Sequence, residues 1–285
     1  MRYICWRTCL MHNELTNFDI SVIKTHAREK LGAYRKTNDV IGYQIFPILG
    51  LNARVLYYPL GKNAPWGVTR LNGSKVNGAK EKPFVIINTS IPVSCQVFAA
   101  AHELYHIWYE NSPDILPSDL LDEDGKQTNE KRANRFAAEF LMDEMVLLQE
   151  MRLHGIRKDL ITIRSILQLS VLFTVPYEAM VRRLYELDII SAISKDELLS
   201  FPAESIAHCR KVFSLFDSQG DERISIDNLA ELAVEAYNSS LITFEKLEFL
   251  LDICGLRPDE IGISPKTAAP FPADEELDGV MKEDE

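Results

Sequence analysis

The feature that most constrains this chain is a pair of histidines inside an apolar, alanine-rich run. The run is Phe98–Trp108, and residues 102–106 within it read His-Glu-x-x-His. Because a helix turns about 100° per residue, His102 and His106 lie one turn apart on one face, where two imidazoles can reach one ion. Glu103 lies beside that face and can take a proton from a water molecule.

The apolar neighbours of these residues predict a buried helix, and burial makes the three polar side chains expensive. Two histidines and a glutamate in a core cost free energy unless something compensates them. A metal ion removes that cost, so the pattern predicts a metal site. The alternative is a pair of core histidines that are satisfied by hydrogen bonds.

A catalytic zinc ion needs a third protein ligand. The third histidine of the extended motif is absent, because Tyr109 and Ser112 stand where its glycine and histidine would fall. We predict that Glu130 is the third ligand, and the competing acidic residues are Asp122, Glu123 and Asp124. The plainer alternative for Glu130 is a first-turn carboxylate that interacts with the helix dipole.

Glu130 opens a predicted helix whose face suits close packing. Within about 60° of Glu130 lie small or apolar residues and one amide, which let a second helix approach; they are Ala133, Asn134, Ala137 and Leu141. Asn134, one turn after Glu130, is placed to hydrogen-bond a histidine ring nitrogen.

The remaining periodicity predicts a mostly helical α+β protein with a small sheet of three strands before the motif helix. The predicted strands include Arg54–Tyr58 and Phe84–Asn88, with a hairpin turn at Asn72-Gly73 and with Phe84–Asn88 as either a substrate-binding edge or a central strand. A loop is predicted over Glu110–Asn129. The predicted helices are Asn17–Leu31, Asp39–Leu49, Asn129–Met151, Thr162–Phe173, Pro176–Leu187, Glu204–Phe216, Ser225–Tyr237 and Thr243–Cys254.

Composition narrows the class of protein. The formal net charge is −11 and no block rich in lysine or arginine occurs, so we predict no direct nucleic-acid contact. The five cysteines are scattered and odd in number, which does not suit a disulfide framework. With neither a signal peptide nor a membrane-length apolar run, we expect a cytoplasmic protein that makes no membrane contact.

Two patterns in the C-terminal part suggest functions that we do not adopt. Asp217-Ser-Gln-Gly-Asp221 resembles the start of a calcium loop, but the sixth position is Glu222 rather than glycine and the twelfth is Asn228 rather than glutamate. The region Ile226–Glu260 has few basic residues, so a DNA-reading helix-turn-helix is not expected there. A helical module for protein interaction is the simpler interpretation.

Two segments together resemble the ImmA/IrrE family of zinc metallopeptidases. They are Phe98–His106, which reads Phe-x-x-Ala-His-Glu-Leu-x-His, and Glu130–Met142, which reads Glu-x-x-Ala-Asn-x-Phe-Ala-Ala-Glu-x-Leu-Met. The resemblance covers roughly residues 18–190. The sequence departs from the usual pattern at Ala99, Tyr105 and Asp143, where threonine, glycine and proline are usual, but none of these changes removes a proposed ligand.

The resemblance implies a gluzincin-like fold, with helices beside a small sheet and zinc held by His102, His106 and Glu130. It also implies a role, the site-specific cleavage of a helix-turn-helix repressor. We therefore expect four parts: an N-terminal extension (1–17), a metallopeptidase domain (18–190), a helical module (203–262) and an acidic, disordered tail (265–285).

The leading hypothesis is a zinc endopeptidase in which Glu103 is the general base and a protein, in particular a basic helix-turn-helix repressor, is the substrate. The second hypothesis, from another class, is a regulatory protein on the same fold that binds a repressor or toxin without cutting it. A pure binding protein has no need of Glu103, which favours the enzyme.

Overall fold

The computed structural model describes residues 15–70, 75–76, 79–80, 82–110, 123–226 and 229–265. The chain divides into two compact units, Met1–Asp227 and Asn228–Glu285. This division differs from the boundary expected at residue 203, because residues 203–226 pack with the first unit: Ile206 and Phe213 lie against its core. Among the described residues, none of the helices has both the length and the apolar content that crossing a membrane requires.

A mixed four-stranded sheet forms one layer of the first unit, in the order β2-β5-β1-β6. The strands β1 and β5 are parallel, whereas β2 pairs antiparallel with β5 and β6 pairs antiparallel with β1. A separate antiparallel pair consists of β3 and β4. The bounds are β1 Arg54–Tyr58, β2 Gly67–Arg70, β3 Lys75–Val76, β4 Ala79–Lys80, β5 Phe84–Asn88 and β6 Ser225–Ile226.

The sheet corrects the prediction in two places. It has four strands rather than three, and the fourth, β6, occupies residues that we assigned to a helix beginning at Ser225. Pairing of Ile226 with Leu56 on β1 overrides the local helical pattern. The strand β5 is central rather than an edge. The turn predicted at Asn72-Gly73 lies outside the described residues; the described hairpin strands β3 and β4 flank residues 77–78.

Helices cover the sheet and complete the core, which confirms the mostly helical α+β class. In the first unit they are α1 Asn17–Ala33, α2 Ile45–Asn52, α3 Val93–Tyr109, α4 Glu123–Leu141, α5 Glu144–Leu153, α6 Ile163–Phe173, α7 Tyr177–Glu186, α8 Ala192–Leu199 and α9 Ala203–Val212. The helix α3 carries the His-Glu-x-x-His motif and packs against α4, α2 and the sheet. Apart from Cys95, it is buried from Val93 to His106, so its polar residues depend on partners within the protein.

Two helix predictions need correction. The single helix predicted over Asn129–Met151 is two helices, because the Asp143 side chain accepts hydrogen bonds from the backbone N–H groups of Met145 and Val146 and so begins α5. The helix predicted over Asp39–Leu49 instead begins at Ile45, after a short 3-10 turn. Pro47 therefore falls in the first turn of α2, where a helix does not need its missing N–H.

The second unit is small. Its helices are α10 (Leu229–Asn238) and α11 (Phe244–Ile253), and their core consists of Ala233, Tyr237, Leu247 and Leu251. Thr243 begins α11 by accepting a hydrogen bond from Lys246 N.

A buried ion pair fixes the end of α4. The Arg183 guanidinium on α7 donates to both carboxylate oxygens of Glu139, at 2.8 and 2.5 Å, and to the carbonyl oxygen of Met142 at 3.0 Å. Burial raises the pKa of Glu139, but the charges and hydrogen bonds of Arg183 and Arg135 outweigh it and hold that pKa below its ordinary value. Because α4 also carries Glu130, this pair orients the helix that supplies the predicted third ligand.

We expect Glu139→Gln to lower the free energy of unfolding by about 3 to 5 kcal/mol, because the buried guanidinium of Arg183 loses the carboxylate that accepts two of its hydrogen bonds and keeps, as a counter-charge, the contact with Glu186 at 3.3 Å. The control is Glu144→Gln, whose pair with Lys24 is about one-third exposed, so its loss should cost less than about 1 kcal/mol. The stabilisation by Glu139 is present above the ordinary pKa near 4.5 and is lost as the pH falls through the lowered folded-state pKa. Urea unfolding at pH 7 and pH 3.5 should therefore show a smaller difference at the lower pH.

Candidate metal centre

Three of the predicted residues meet between α3 and α4. His102 Nε2 lies 3.1 Å from Glu130 Oε2, and His106 Nε2 lies 3.7 Å from Glu130 Oε1. The two Nε2 atoms are 2.9 Å apart. The three ligand atoms all lie within 4.8 Å of one another, and this is the group of metal-binding side chains found among the described residues. The set has the composition of a catalytic zinc site, two imidazoles and one carboxylate.

Each histidine ring is held at its other nitrogen. Asn134 Oδ1 lies 2.9 Å from His102 Nδ1, which is the contact that the sequence predicted for Asn134. Glu110 Oε1 lies 2.9 Å from His106 Nδ1. The hydrogen bond to Asn134 and the negative charge of Glu110 both favour a proton on Nδ1 and leave the lone pair on Nε2, which is the arrangement that metal-binding histidines use.

This arrangement fits a bound cation. Two Nε2 lone pairs at 2.9 Å repel each other unless a proton or a metal ion lies between them. In the metal-free protein the proton is the available partner. Burial lowers the pKa of His102, but the hydrogen bond to Glu130 and the charges of Glu103 and Glu130 outweigh it and raise that pKa above its ordinary value. A divalent cation would satisfy the same carboxylate and both lone pairs at once.

The close approach of α3 and α4 depends on the small residues of the predicted face. Ala133 and Ala137 on α4 are both 0 % exposed, so no long side chain separates Glu130 from the histidines. Arg132, on the same helix, pairs with Asp19 of α1 at 2.7 Å and ties this end of α4 to the fold. The side chains of the competitors Asp122, Glu123 and Asp124 lie outside the described residues.

Glu103 is not one of the three converging residues, and its side chain lies next to the sheet. Its side chain is 2 % exposed. A Cβ atom at Gly67 on β2 would lie 2.7 Å from Glu103 Oε1, a distance that real Cβ atoms do not tolerate. Because Gly67 has no side chain, the carboxylate of Glu103 has room to lie against β2, the outer strand of the sheet. This carboxylate can act as a base.

Sequence reasoning missed two residues of this site. Glu110 begins the predicted loop and does directly follow α3, but its side chain returns to His106, four residues earlier, and the loop prediction gave it no role. Gly67 was one of several glycines in a segment rich in turns, and only its contact with Glu103 distinguishes it. Tyr105, a departure from the usual pattern, is 7 % exposed and packs against Phe136 of α4.

The comparisons with known proteins agree with this geometry. Residues 48–185 match the family model of the IrrE N-terminal-like domain, Peptidase_M78. The match includes α3 and α4 with all three converging residues. No curated protein matches the chain significantly.

We expect Glu110→Ala to weaken zinc binding by about 10- to 100-fold, because the His106 ring loses the carboxylate that orients it and sets its tautomer. Glu110→Gln is the matched variant, since its amide oxygen can still face Nδ1 without the charge, and its loss of zinc affinity should be smaller. A competition titration against a fluorescent zinc chelator measures both affinities. Equal affinities for the native chain and Glu110→Ala would remove Glu110 from the site.

Proposed function

Residues 48–185 belong to the Peptidase_M78 family, and from that membership we propose that the chain is a zinc-dependent endopeptidase. The observation that carries the proposal is the convergence of two Nε2 atoms and one carboxylate beside a separate, buried Glu103. His102, His106 and Glu130 would hold the ion. When bound, zinc would polarise the scissile carbonyl and make a water molecule more acidic at neutral pH.

Glu103 is the proposed general base. Its carboxylate would accept a proton from the attacking water and pass it to the amide nitrogen as the peptide bond breaks. Gly67 leaves the space that this carboxylate occupies. Asn134 and Glu110 would keep the two imidazoles in the orientation and tautomer that present Nε2 to the ion.

The outer edge of β2 is the proposed docking place of the substrate. Within the described part of the chain, β2 is at the end of the sheet and pairs only with β5. Since Asn88 N donates to Trp66 O, the alternation of an antiparallel pair directs the backbone N–H and C=O groups of Gly67 and Thr69 away from β5. An extended peptide can pair with such an edge, next to Glu103.

A protein substrate follows from this proposal, and the class we propose is a regulatory protein such as a helix-turn-helix repressor. The resemblance of the two motif segments implies that class. A cytoplasmic setting suits such a substrate, and the described cysteines Cys95, Cys209 and Cys254 are free thiols.

The first experiment measures zinc by elemental mass spectrometry after reconstitution, in the native chain, Glu130→Ala and Glu103→Gln. We expect about one zinc per chain in the native protein and in Glu103→Gln, and much less in Glu130→Ala, because Glu130 is a proposed ligand and Glu103 is not. Incubation with a peptide library derived from a whole proteome, read by mass spectrometry, should show cleavage by the native chain alone.

Each outcome of this experiment has a clear meaning. Cleavage that survives in Glu103→Gln would overturn the assignment of the general base. Zinc without cleavage of the library or of a folded helix-turn-helix repressor would favour the non-cleaving regulatory protein. A native chain that takes up no zinc would overturn the metallopeptidase proposal.

A second prediction tests the contact between Gly67 and Glu103. We expect Gly67→Ala to lower kcat at least tenfold while zinc affinity stays within about twofold, because the new Cβ displaces the carboxylate of Glu103 and touches no ligand. The control is Gly32→Ala in α1, where a Cβ meets nothing within 4 Å. Native turnover by Gly67→Ala would show that Glu103 acts from another position.

A further inference from the structure

A segment outside the family match is hydrogen-bonded to the start of α3, the helix that carries His102 and His106. We call Asp217–Ile226 the strap. The helix α3 begins after Pro92, which provides no side-chain cap. The strap supplies one instead: the carbonyl oxygen of Ser218 accepts from Val93 N at 2.8 Å, and Asp217 Oδ2 accepts from Ser94 Oγ at 2.5 Å. A carboxylate at this end of a helix also interacts favourably with the helix dipole.

The strap approaches the turn between β5 and α3 very closely at Gly220. A Cβ atom at Gly220 would lie 2.4 Å from the carbonyl oxygen of Thr89 and 2.8 Å from that of Ile91. Both of these atoms are backbone and cannot swing away. Only glycine permits this approach, so the contact between the strap and the turn depends on one residue.

The remaining residues of the strap fasten it to the sheet. Thr89 Oγ1 donates to the carbonyl oxygen of Arg223 at 2.9 Å. The Arg223 guanidinium lies 4.7 Å from the ring centre of Tyr57 on β1, a cation–π distance. The strap ends in β6, which pairs with β1. The strap therefore contacts both the sheet and α3, the helix on which His102 and His106 lie.

These contacts also give a role to the residues from Asp217 onward that resemble the start of a calcium loop. Glu222, at the position where such loops have glycine, has the left-handed φ of 52° that the turn requires. The carboxylates that would bind calcium have other partners, since Asp217 accepts from Ser94 and Asp221 pairs with Arg223 at 2.8 Å. A loop of this shape serves here as a fastening within the protein.

We propose that the strap is a positioning device for the metal centre, and that its docking and metal binding stabilise each other. The strap lies outside residues 48–185 and leads at residue 227 into the second unit. A conformational change in the C-terminal part of the chain that releases the strap would therefore alter the geometry of the metal centre. This regulatory role rests on the proposed function, whereas the docking itself does not.

The physical route is α3 itself. From Val93 to Tyr109 the helix is continuous, and His102 lies nine residues after Val93. A helix transmits a displacement of one end to the other, because its hydrogen bonds do not stretch easily. The position of α3 sets both the distance from the histidines to Glu130 and the contact of Glu103 with Gly67. A shift of α3 that follows release of its first turn therefore alters the geometry of every proposed site residue on α3.

The first test uses the metal-free full chain and hydrogen–deuterium exchange. Gly220→Ala should raise exchange at least tenfold in the amides of Thr89–Gln96 and in β6, while α6 and α7 exchange as in the native chain. Gly32→Ala is the matched control and should change neither region. Unchanged exchange at Thr89–Gln96, or an equal rise throughout the first unit, would overturn the proposal.

A second pair of variants serves if Gly220→Ala does not fold. Asp217→Ala removes the acceptor for Ser94, whereas Asp217→Asn keeps a side-chain oxygen there. We expect faster exchange at Thr89–Gln96 in Asp217→Ala and rescue of most of that protection in Asp217→Asn. Equal exchange in the two variants and the native chain would count against the strap.

The second test measures the coupling with zinc alone. Linkage requires that the factor by which strap release weakens zinc binding equals the factor by which zinc protects the strap from exchange. We expect a common factor of at least fivefold. Zinc affinity that is the same in the native chain and in Gly220→Ala would overturn the coupling. A native chain that binds no zinc would overturn the proposed function and the coupling together, and strap docking would then be decided by the metal-free exchange.

Discussion

The structure depends on compensating two histidines and a glutamate that are almost completely buried on α3. Burial removes the water that would otherwise solvate them, so each polar atom needs a partner from the protein or from a bound ion. The helix α4 provides most of these partners, because its alanine face lets Glu130 and Asn134 reach the imidazole rings. The position of α4 in turn depends on Arg183 and Glu139 at its C-terminal end and on Arg132 and Asp19 near Glu130. The ion pairs of α4 thus keep the candidate metal centre together.

Absent side chains matter here as much as charged ones. Gly67 leaves room for Glu103, Gly220 admits the strap against the Thr89 carbonyl, and Ala133 and Ala137 bring α4 close to α3. In each case a backbone or a polar side chain occupies the space that a Cβ or a longer side chain would fill. The face with Ala133 and Ala137 follows from the helical period, whereas the fit at Gly67 and Gly220 has neither a charge nor a period in the sequence and becomes visible only in three dimensions.

The sequence predicted those parts of the fold and site that depend on local spacing. The i, i+4 histidines, the face that places Asn134 next to Glu130 and most helices follow from the geometry of a single helix. Other parts depend on contacts between distant residues. The strand β6 forms because β1 offers an edge. The sequence of only two residues, Ser225 and Ile226, does not predict a strand by itself. Asp143 departs from the usual pattern of the family that the motifs resemble, and only its hydrogen bonds show that it caps the start of α5.

The fourth strand has a consequence for the boundaries of the folding unit. The family match covers residues 48–185. Two elements outside it contribute to the first unit: β6, at residues 225–226, covers the edge of β1, and α1, which precedes the match, pairs with α4 through Asp19 and Arg132. A chain trimmed to the matched residues would present Arg54–Tyr58, with its sequence Arg-Val-Leu-Tyr-Tyr, as an open strand edge. Edges of that kind recruit strands from neighbouring molecules. The strap thus also covers the strand edge at Leu56 and Tyr57, and the compact unit around the candidate metal centre extends well beyond the matched residues on both sides.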